Sequence, residues 1–412
     1  MSKVLVVGGG AAGLMAAYSA AICGAEVTVL ERNSRPARKV MITGKGRCNV
    51  TNNTDLNGLI SAVTGDGRFL YSAFSNFTSQ DTMNFFEQNG VELKTERGNR
   101  VFPKSDKAVD IVDALVGAVK NIGAVILQER VSELLVSDGS VIGVKCESGN
   151  VYNCDSVIIA TGGLSYHLTG SDGDGYRLAQ TVGHSVTELR PSLVPIDVLE
   201  GWCSDLQGLA LKNISLAVFK KGETKPVYTD FGELMFTHFG LSGPVVLSAS
   251  AYINEPSSNE YKIKIDLKPA LTNEKLDERL LRDFEKFKNK DFINSLSELL
   301  PKRMIPVVVK LSQIEPSLKV NQITREQRLR LVDILKNLTL TVKGFRPIEE
   351  AIVTKGGISL SEISPKTMES KLMKGLYFAG EVMDVDAFTG GFNLQIAFST
   401  GYAAGMAAGS AY

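Results

Sequence analysis

The chain has 412 residues and only five cysteines, Cys23, Cys48, Cys146, Cys154 and Cys203. No two of them form a C-x-x-C pair, and their odd number argues against a disulfide framework. Redox chemistry run through a close dithiol is thereby excluded. Histidine is scarcer still: His167, His184 and His238 are all there are. None stands at H-E-x-x-H or a comparable ligand spacing, so no protein-bound catalytic metal is expected. Neither sign of charge is in excess, with 45 Lys+Arg against 45 Asp+Glu. That balance argues against nucleic acid or an anionic membrane as the main partner. No apolar run reaches the roughly 18 residues of a membrane span. The N-terminal apolar run is broken at once by glycines and lacks the layout of a signal peptide, so a cytoplasmic location is expected. Hydrophobic residues make up 44% of the chain, enough for a sizeable core, and the length predicts two or three domains.

What is present is concentrated where apolar runs end in glycine. The run Lys3–Val7 leads into Gly8-Gly9-Gly10-Ala11-Ala12-Gly13 and a stretch of small residues; a second apolar run, Ala25–Leu30, ends at Glu31. This is a strand, a G-x-G-x-x-G turn, a helix, a strand and an acid, the order of a dinucleotide-binding βαβ unit. Gly8 permits the tight turn, Gly10 lets backbone approach a pyrophosphate, and Gly13 lets the helix pack closely on the strand. The free N–H groups of the helix start hold phosphate, and Glu31 accepts hydrogen bonds from a ribose. The motif alone leaves NAD and FAD open and makes a redox enzyme the first expectation.

Four further stretches carry chemistry. Arg35, Arg38 and Lys39 precede Ile42-Thr43-Gly44-Lys45-Gly46-Arg47-Cys48-Asn49-Val50-Thr51-Asn52. Its glycines let this loop lie flat against a planar ligand, with Arg38, Lys39 and Arg47 offering charge to a phosphate or a reduced ring; a solvated basic loop is the alternative. Ala160-Thr161-Gly162-Gly163, running on to Tyr166, is a strand ending in small residues that allows backbone contact with a cofactor, or else a plain strand-to-loop turn. Gly380-Glu381 and then Thr389-Gly390-Gly391-Phe392-Asn393-Leu394-Gln395 place a glycine turn before a helix start, whose N–H groups suit the N1/O2 edge of a flavin. Glu381 suits a ribityl hydroxyl. Phe236-Thr237-His238-Phe239-Gly240-Leu241-Ser242-Gly243-Pro244 offers His238 as a proton carrier, or as a histidine held by backbone hydrogen bonds.

Between these motifs, Asp110–Ile122 reads as an amphipathic helix with Ile111, Leu115, Ala118 and Ile122 on one face. Short strands follow, beginning near Val131, with turns at Asp138-Gly139 and Ser148-Gly149-Asn150. After about Arg190, prolines punctuate strand-like pieces such as Ile214–Phe219 and Tyr261–Ile265. Residues 272–338 read as charged helices, with a capping box at Thr324–Gln327. The small apolar stretch Asn393–Ala411 reads as a helix that needs the N-terminal sheet to cover it. The expected domains are 1–190, 191–271 (β-rich), 272–338 (helical) and 339–412, the last returning to the first.

Taken together, Gly44–Asn52, Thr237–Pro244 and Thr389–Gln395 resemble a family of bacterial FAD-dependent oxidoreductases that contains aminoacetone-oxidase-like and bile-acid Δ4,6-reductase-like enzymes. The resemblance covers essentially the whole chain. It implies an α/β fold: a Rossmann-like FAD-binding domain closed by the C-terminal segment, with an inserted β-barrel-like domain carrying a helical subdomain. By motif it implies that Ala11 and Ala12 face the FAD pyrophosphate. Glu31 and Arg32 then contact the adenosine ribose region, Arg38 and Lys39 the phosphate side, and Val131 the adenine through its backbone. Glu381 and the Phe392–Gln395 helix start hold the ribityl chain and flavin.

No second G-x-G-x-x-G is present for a nicotinamide dinucleotide, so NAD(P)H is expected only as a transient co-substrate near the flavin. The leading expectation is reduction of the C=C bond of an enone, such as a 3-oxo-Δ4/Δ6 bile acid or steroid, with Tyr166 or His238 giving the proton. An FAD oxidase of a small amine or aminoketone using O2 is the alternative. An RNA-associated flavoprotein is a second alternative, against which the neutral charge weighs.

Overall fold

Lys3–Val7 pairs in parallel with Glu26–Glu31 on one side and with Ser156–Ile159 on the other. Val125–Gln128 and Leu376–Phe378 extend the two edges, giving a five-stranded parallel sheet. The central strands read as unbroken Val, Ile and Leu because both faces are covered; Val4, Val6, Val157, Ile158 and Ile159 are fully buried. The computed structural model describes residues 1–253 and 260–410. It divides into two units, Met1–Ser192 with Ile348–Tyr412, and Leu193–Pro347.

In the first unit, helix Ala11–Ile22 is crossed by the closing helix Phe392–Gly409. Their contact is made backbone to backbone. A Cβ at Gly401 would stand 2.3 Å from the carbonyl oxygen of Ala12, one at Gly405 2.2 Å from that of Ala16, and one at Gly409 2.7 Å from that of Ala20. The i, i+4 spacing on both helices makes this a continuous seam of small residues. The all-round apolar character of the closing helix follows from it: a helix so enclosed has no polar face to offer. The predicted helix ended at Ala411, which lies outside the described residues.

The remaining predicted elements of this unit are found close to their expected limits. Ala108–Asn121 is the amphipathic helix, with Ile111, Leu115 and Ala118 buried. Val131–Ser137, Ser140–Cys146 and Val151–Asn153 form an antiparallel meander whose two turns fall at Asp138-Gly139 and Ser148–Asn150.

The second unit is a closed antiparallel barrel of six strands: Ile196–Val198, Gly240–Ser242, Tyr228–Phe236, Ala210–Lys220, Tyr261–Asp266 and Leu338–Phe345, in that order around the barrel. Helices Asn273–Lys286, Ile305–Ser312 and Arg325–Lys336 lie in sequence between its last two strands. The Thr324–Gln327 capping box is present, both reciprocal bonds included. The boundary expected at 339 falls inside a barrel strand. Leu338–Phe345 pairs with Tyr261–Asp266 and Ile196–Val198, so the chain leaves this unit only after Pro347.

The helix seam makes a stability prediction. Gly405→Val forces the two helices apart, so thermal unfolding should report a loss of about 1–3 kcal/mol or more, as overpacking a tight contact does. Ala407→Val, on the same helix but only partly buried, should cost far less; equal losses would contradict the seam.

Candidate functional site

Three strands of the parallel sheet, Lys3–Val7, Ser156–Ile159 and Leu376–Phe378, run out along one edge, and a glycine-rich stretch follows each. A Cβ at Gly8 would meet the Ala160 carbonyl oxygen at 2.7 Å, and one at Gly380 would meet Ala12 Cβ at 2.8 Å. The opening motif, Thr161-Gly162 and Gly380-Glu381 are therefore neighbours at the carboxyl edge, where open parallel sheets take their ligands.

Helix Ala11–Ile22 begins uncapped. Its first backward bond runs from Leu14 N–H to Gly10 O at 2.9 Å, and Gly10 has no side chain to serve the earlier donors. The N–H groups of Ala11, Ala12 and Gly13 thus have no partner within the helix. A Cβ at Gly10 would meet nothing within 4 Å, so the ground before the helix is open. A Cβ at Gly13 would lie 1.9 Å from Gly8 O, which only glycine tolerates.

Glu31 ends the second strand, 7% exposed. Its Oε2 accepts Gly9 N–H at 2.7 Å, and its Oε1 accepts Asn33 N–H and Asn33 Nδ2, both at 2.7 Å. The carboxylate is thus fixed in place with about one of its four lone-pair sites left over. Arg32 turns to Asp172 and lies 3.7 Å from Asp174. Arg130 holds the same two acids at 3.0 and 2.7 Å, immediately before Val131 starts its strand. Arg38 donates to Asn33 Oδ1 at 3.1 Å.

Several charged side chains expected at a ligand instead bind one another. Lys39 Nζ lies 2.6 Å from Glu381 Oε2 and 2.7 Å from Ser165 Oγ. Glu381 Oε1 accepts Ser165 Oγ–H at 2.9 Å and Thr354 N–H at 2.8 Å. Thr354 Oγ1 in turn accepts the N–H groups of Leu164 and Ser165. Lys39 therefore latches the Glu381 turn to the Gly162–Tyr166 loop. Ser165 and Thr354 complete that latch, and the sequence reading missed both: neither residue type carries chemistry visible outside the fold. Arg47 is likewise engaged by the protein itself. Its guanidinium binds Glu96 at 2.5 Å and Asp106 at 2.6 Å and stacks 4.1 Å over Phe102. These contacts pin the loop. Thr43 Oγ1 donates to Val40 O at 2.7 Å, and Gly44 packs 3.1 Å (as a Cβ) from Asn49 N.

The closing helix also begins uncapped. Gly391, at φ +100°, precedes it, and Gln395 N–H makes the first backward bond at 3.1 Å. The N–H groups of Phe392, Asn393 and Leu394 have no partner within the helix. Side chains here are engaged elsewhere. Asn393 Oδ1 accepts Ala387 N–H at 2.9 Å and its Nδ2 donates to Ala387 O at 2.7 Å. Fully buried Gln395 accepts from Thr51 and Thr82 and donates to Phe77 O and Ser399 Oγ. What this helix start can offer a ligand is backbone.

These residues fit a dinucleotide that carries a flavin. There are two uncapped helix starts, open ground at Gly10 and a fixed carboxylate. Among the described residues Asn49 Oδ1 and Thr161 Oγ1 are buried oxygens without a hydrogen-bond partner, the sort of group that calls for a missing ligand or water. No cluster of metal-ligating side chains occurs among the described residues.

Of the proton-carrier candidates, Tyr166 lies in the first unit. It is half-buried at φ +53°, and burial pushes its phenol pKa up. His238 lies in the second unit, exposed, in the turn between Tyr228–Phe236 and Gly240–Ser242, its ring edge-on to Phe239 at 4.9 Å. Thr237 N–H to Gly240 O at 2.8 Å closes that turn, so the Thr237–Pro244 motif does structural work in the barrel. Buried His184 bonds Glu362 at 3.0 Å and Ser370 Oγ at 2.8 Å, with its ring edge-on to Phe378.

Residues 2–407 match the HI0933-like protein Rossmann domain. The chain is 30% identical over 414 residues to a 3-dehydro-bile acid Δ(4,6)-reductase of Clostridium scindens, covering 99% of each chain. It is 31% identical over 399 residues to a ribosomal RNA dihydrouridine synthase of Escherichia coli, covering 97% of this chain and 96% of that one. Among solved structures it is similar to a 3-ketosteroid Δ1-dehydrogenase from Sterolibacterium denitrificans, with TM-score 0.55, 14% identity and 100% of each chain covered. The chain belongs to the HI0933-like family, and its family and fold are those of FAD-dependent oxidoreductases.

His184 supplies a pH prediction for this unit. Burial lowers its pKa, outweighing the Glu362 hydrogen bond. The folded state therefore keeps it neutral, while the unfolded chain takes up a proton below about pH 6.5. Stability is full above that pH and falls as pH drops from about 6.5 through the lower folded-state value. Thermal unfolding between pH 7.5 and 5 should show this fall, and His184→Gln should flatten it; an equal slope in the variant would contradict it.

Proposed function

We propose that this chain reduces a carbon–carbon double bond conjugated to a carbonyl group, with FAD as its cofactor and NAD(P)H as transient reductant. One observation carries the reading. The full-length relatives carry names from different fields, a bile acid Δ(4,6)-reductase and rRNA dihydrouridine synthases. Both names describe saturation of a C=C bond next to a carbonyl, in a 3-oxo steroid ring or in a uracil ring. FAD, when bound, supplies a hydride to the β-carbon of such a bond.

The chain's own residues then have definite tasks. The N–H groups of Ala11, Ala12 and Gly13 hold the pyrophosphate, with Gly8 and Gly10 letting the backbone close on it. Glu31 binds ribose hydroxyls, and Arg32 and Val131 border the adenosine. Thr161, Gly162, Thr43, Gly44 and Asn49 line the middle of the cofactor. Glu381, held by Lys39, would bind the ribityl chain beside Gly380. The N–H groups of Phe392, Asn393 and Leu394, at the positive end of their helix, would hold the flavin's pyrimidine edge. Tyr166, its pKa raised by burial, keeps its proton at neutral pH and delivers it to the α-carbon; His238 is the second candidate.

The first substrate reading is an enone such as a 3-oxo-Δ4/Δ6 bile acid or steroid. A second is a uridine within RNA, favoured by two relatives of that name, each 31% identical over at least 97% of this chain. Anaerobic stopped-flow reduction with NADH and NADPH, followed by mixing with an enone or a uridine-containing RNA, tests both. Reoxidation by either supports the proposal. Failure with all conjugated substrates, combined with reduction of the flavin by an amine and its rapid reoxidation by O2 with peroxide release, replaces it with the oxidase. Tyr166→Phe should slow reoxidation by substrate about 10²–10⁴-fold, the usual weight of a general acid. Flavin reduction should stay within about twofold; an unchanged reoxidation rate transfers the role to His238.

A further inference from the structure

Net charge is zero over the chain, yet charge is unevenly spread. Between Lys286 and Lys319 stand seven Lys and Arg against three Asp and Glu. In the helical part of the second unit this stretch folds back on itself. Phe292 N–H bonds Leu318 O at 2.9 Å, and Val320 N–H bonds Lys290 O at 3.1 Å. The pairing brings Lys290 and Lys319 to the wall of an open cleft of about 690 Å³, which Lys302 also lines, with Asn294, Ser297 and Ile305 between them. Lys319 is paired with Asp291 at 2.8 Å. Among the described residues neither Lys290 nor Lys302 makes an ion pair, Glu298 acting on Lys290 only at longer range, and the Lys290 ammonium rests 4.3 Å from the centre of the Phe287 ring. Three lysines against the single lining acid Asp291, beside neutral amide and hydroxyl groups, leave the cleft with an excess of positive charge and make a surface for phosphate oxygens.

We propose that this cleft binds the phosphodiester backbone of single-stranded RNA and so brings a uridine-bearing substrate to the protein. The inference rests on the uridine reading above. A sterol or bile acid carries at most one anionic group and has no use for three spaced lysines, whereas an RNA strand presents a phosphate at every nucleotide. Lysines without base-reading partners imply binding by charge, with little sequence preference.

The test uses the full-length holoprotein and a labelled 20-nucleotide single-stranded RNA containing uridine, titrated at several KCl concentrations. The variant is Lys290→Gln/Lys302→Gln/Lys319→Gln. The control is Lys104→Gln/Lys120→Gln, two exposed lysines of the first unit. Three lost phosphate contacts should lower the slope of log K against log salt by about 2, at roughly 0.7 per contact for single strands, and weaken binding at least about tenfold near 0.1 M salt. The control and the Lys→Arg triple variant should bind as wild type does. Equal flavin content and melting temperature show that the fold is intact.

Unchanged affinity and slope in the glutamine variant overturn the inference. So does displacement of RNA by about 10 mM inorganic phosphate at constant ionic strength, which marks a free-phosphate pocket. RNA reoxidation of the reduced protein is measured in parallel. RNA that reoxidises both proteins alike and binds both alike removes the cleft and leaves the uridine reading standing. RNA that binds through these lysines yet never reoxidises the protein supports the cleft and removes the uridine reading. No binding and no reoxidation remove both.

Discussion

The first unit depends on one contact: the closing helix laid directly on the opening one. Gly401, Gly405 and Gly409 bring backbone against the carbonyls of Ala12, Ala16 and Ala20. Only small side chains such as Ser19 and Cys23 enter the seam, so the starts of both helices are set by it, and Gly380 packs on Ala12 beside it. Two positively polarised helix ends consequently serve one edge of one parallel sheet. The N- and C-terminal parts of the chain form a single candidate site because small residues permit that approach.

Side-chain charge is then used to hold the site rather than to face its ligand. Lys39 is committed to Glu381, Arg47 to Glu96 and Asp106, and Arg32 to Asp172 and Asp174. Asn393 and Gln395 spend their amides on the loops around them. The groups left over are mostly main-chain N–H donors and, among the described residues, the unpartnered oxygens of Asn49 and Thr161. Backbone donors fixed by packing need no reorganisation when a ligand arrives, which suits a cofactor that stays bound through many turnovers.

These facts explain which parts were legible in the sequence. The βαβ unit, the meander, the amphipathic helix at Ala108–Asn121 and the Thr324 capping box are local patterns, and each is found as expected. The return of the C-terminal helix to the first sheet followed from its want of a polar face. The end of the inserted unit was less legible. Leu338 continues the apolar stripe of Leu331 and Leu335, yet it opens a barrel strand whose partner Tyr261–Asp266 lies far back in the chain. The pairing of Arg47 and Lys39 was hidden for the same reason, since Glu96, Asp106 and Glu381 are distant in sequence. Averaged composition likewise concealed the basic stretch from Lys286 to Lys319 behind a net charge of zero.

The central claim is that this chain saturates a C=C bond conjugated to a carbonyl. Single-turnover oxidation of the anaerobically reduced holoprotein, with product analysis, tests it most directly. One conjugated double bond, in an enone or a uridine, should be saturated for each flavin reoxidised, and the corresponding saturated compound should be inert. Flavin that stays reduced in the presence of every conjugated carbonyl compound and of uridine-containing RNA, or reoxidises without saturated product, would contradict it.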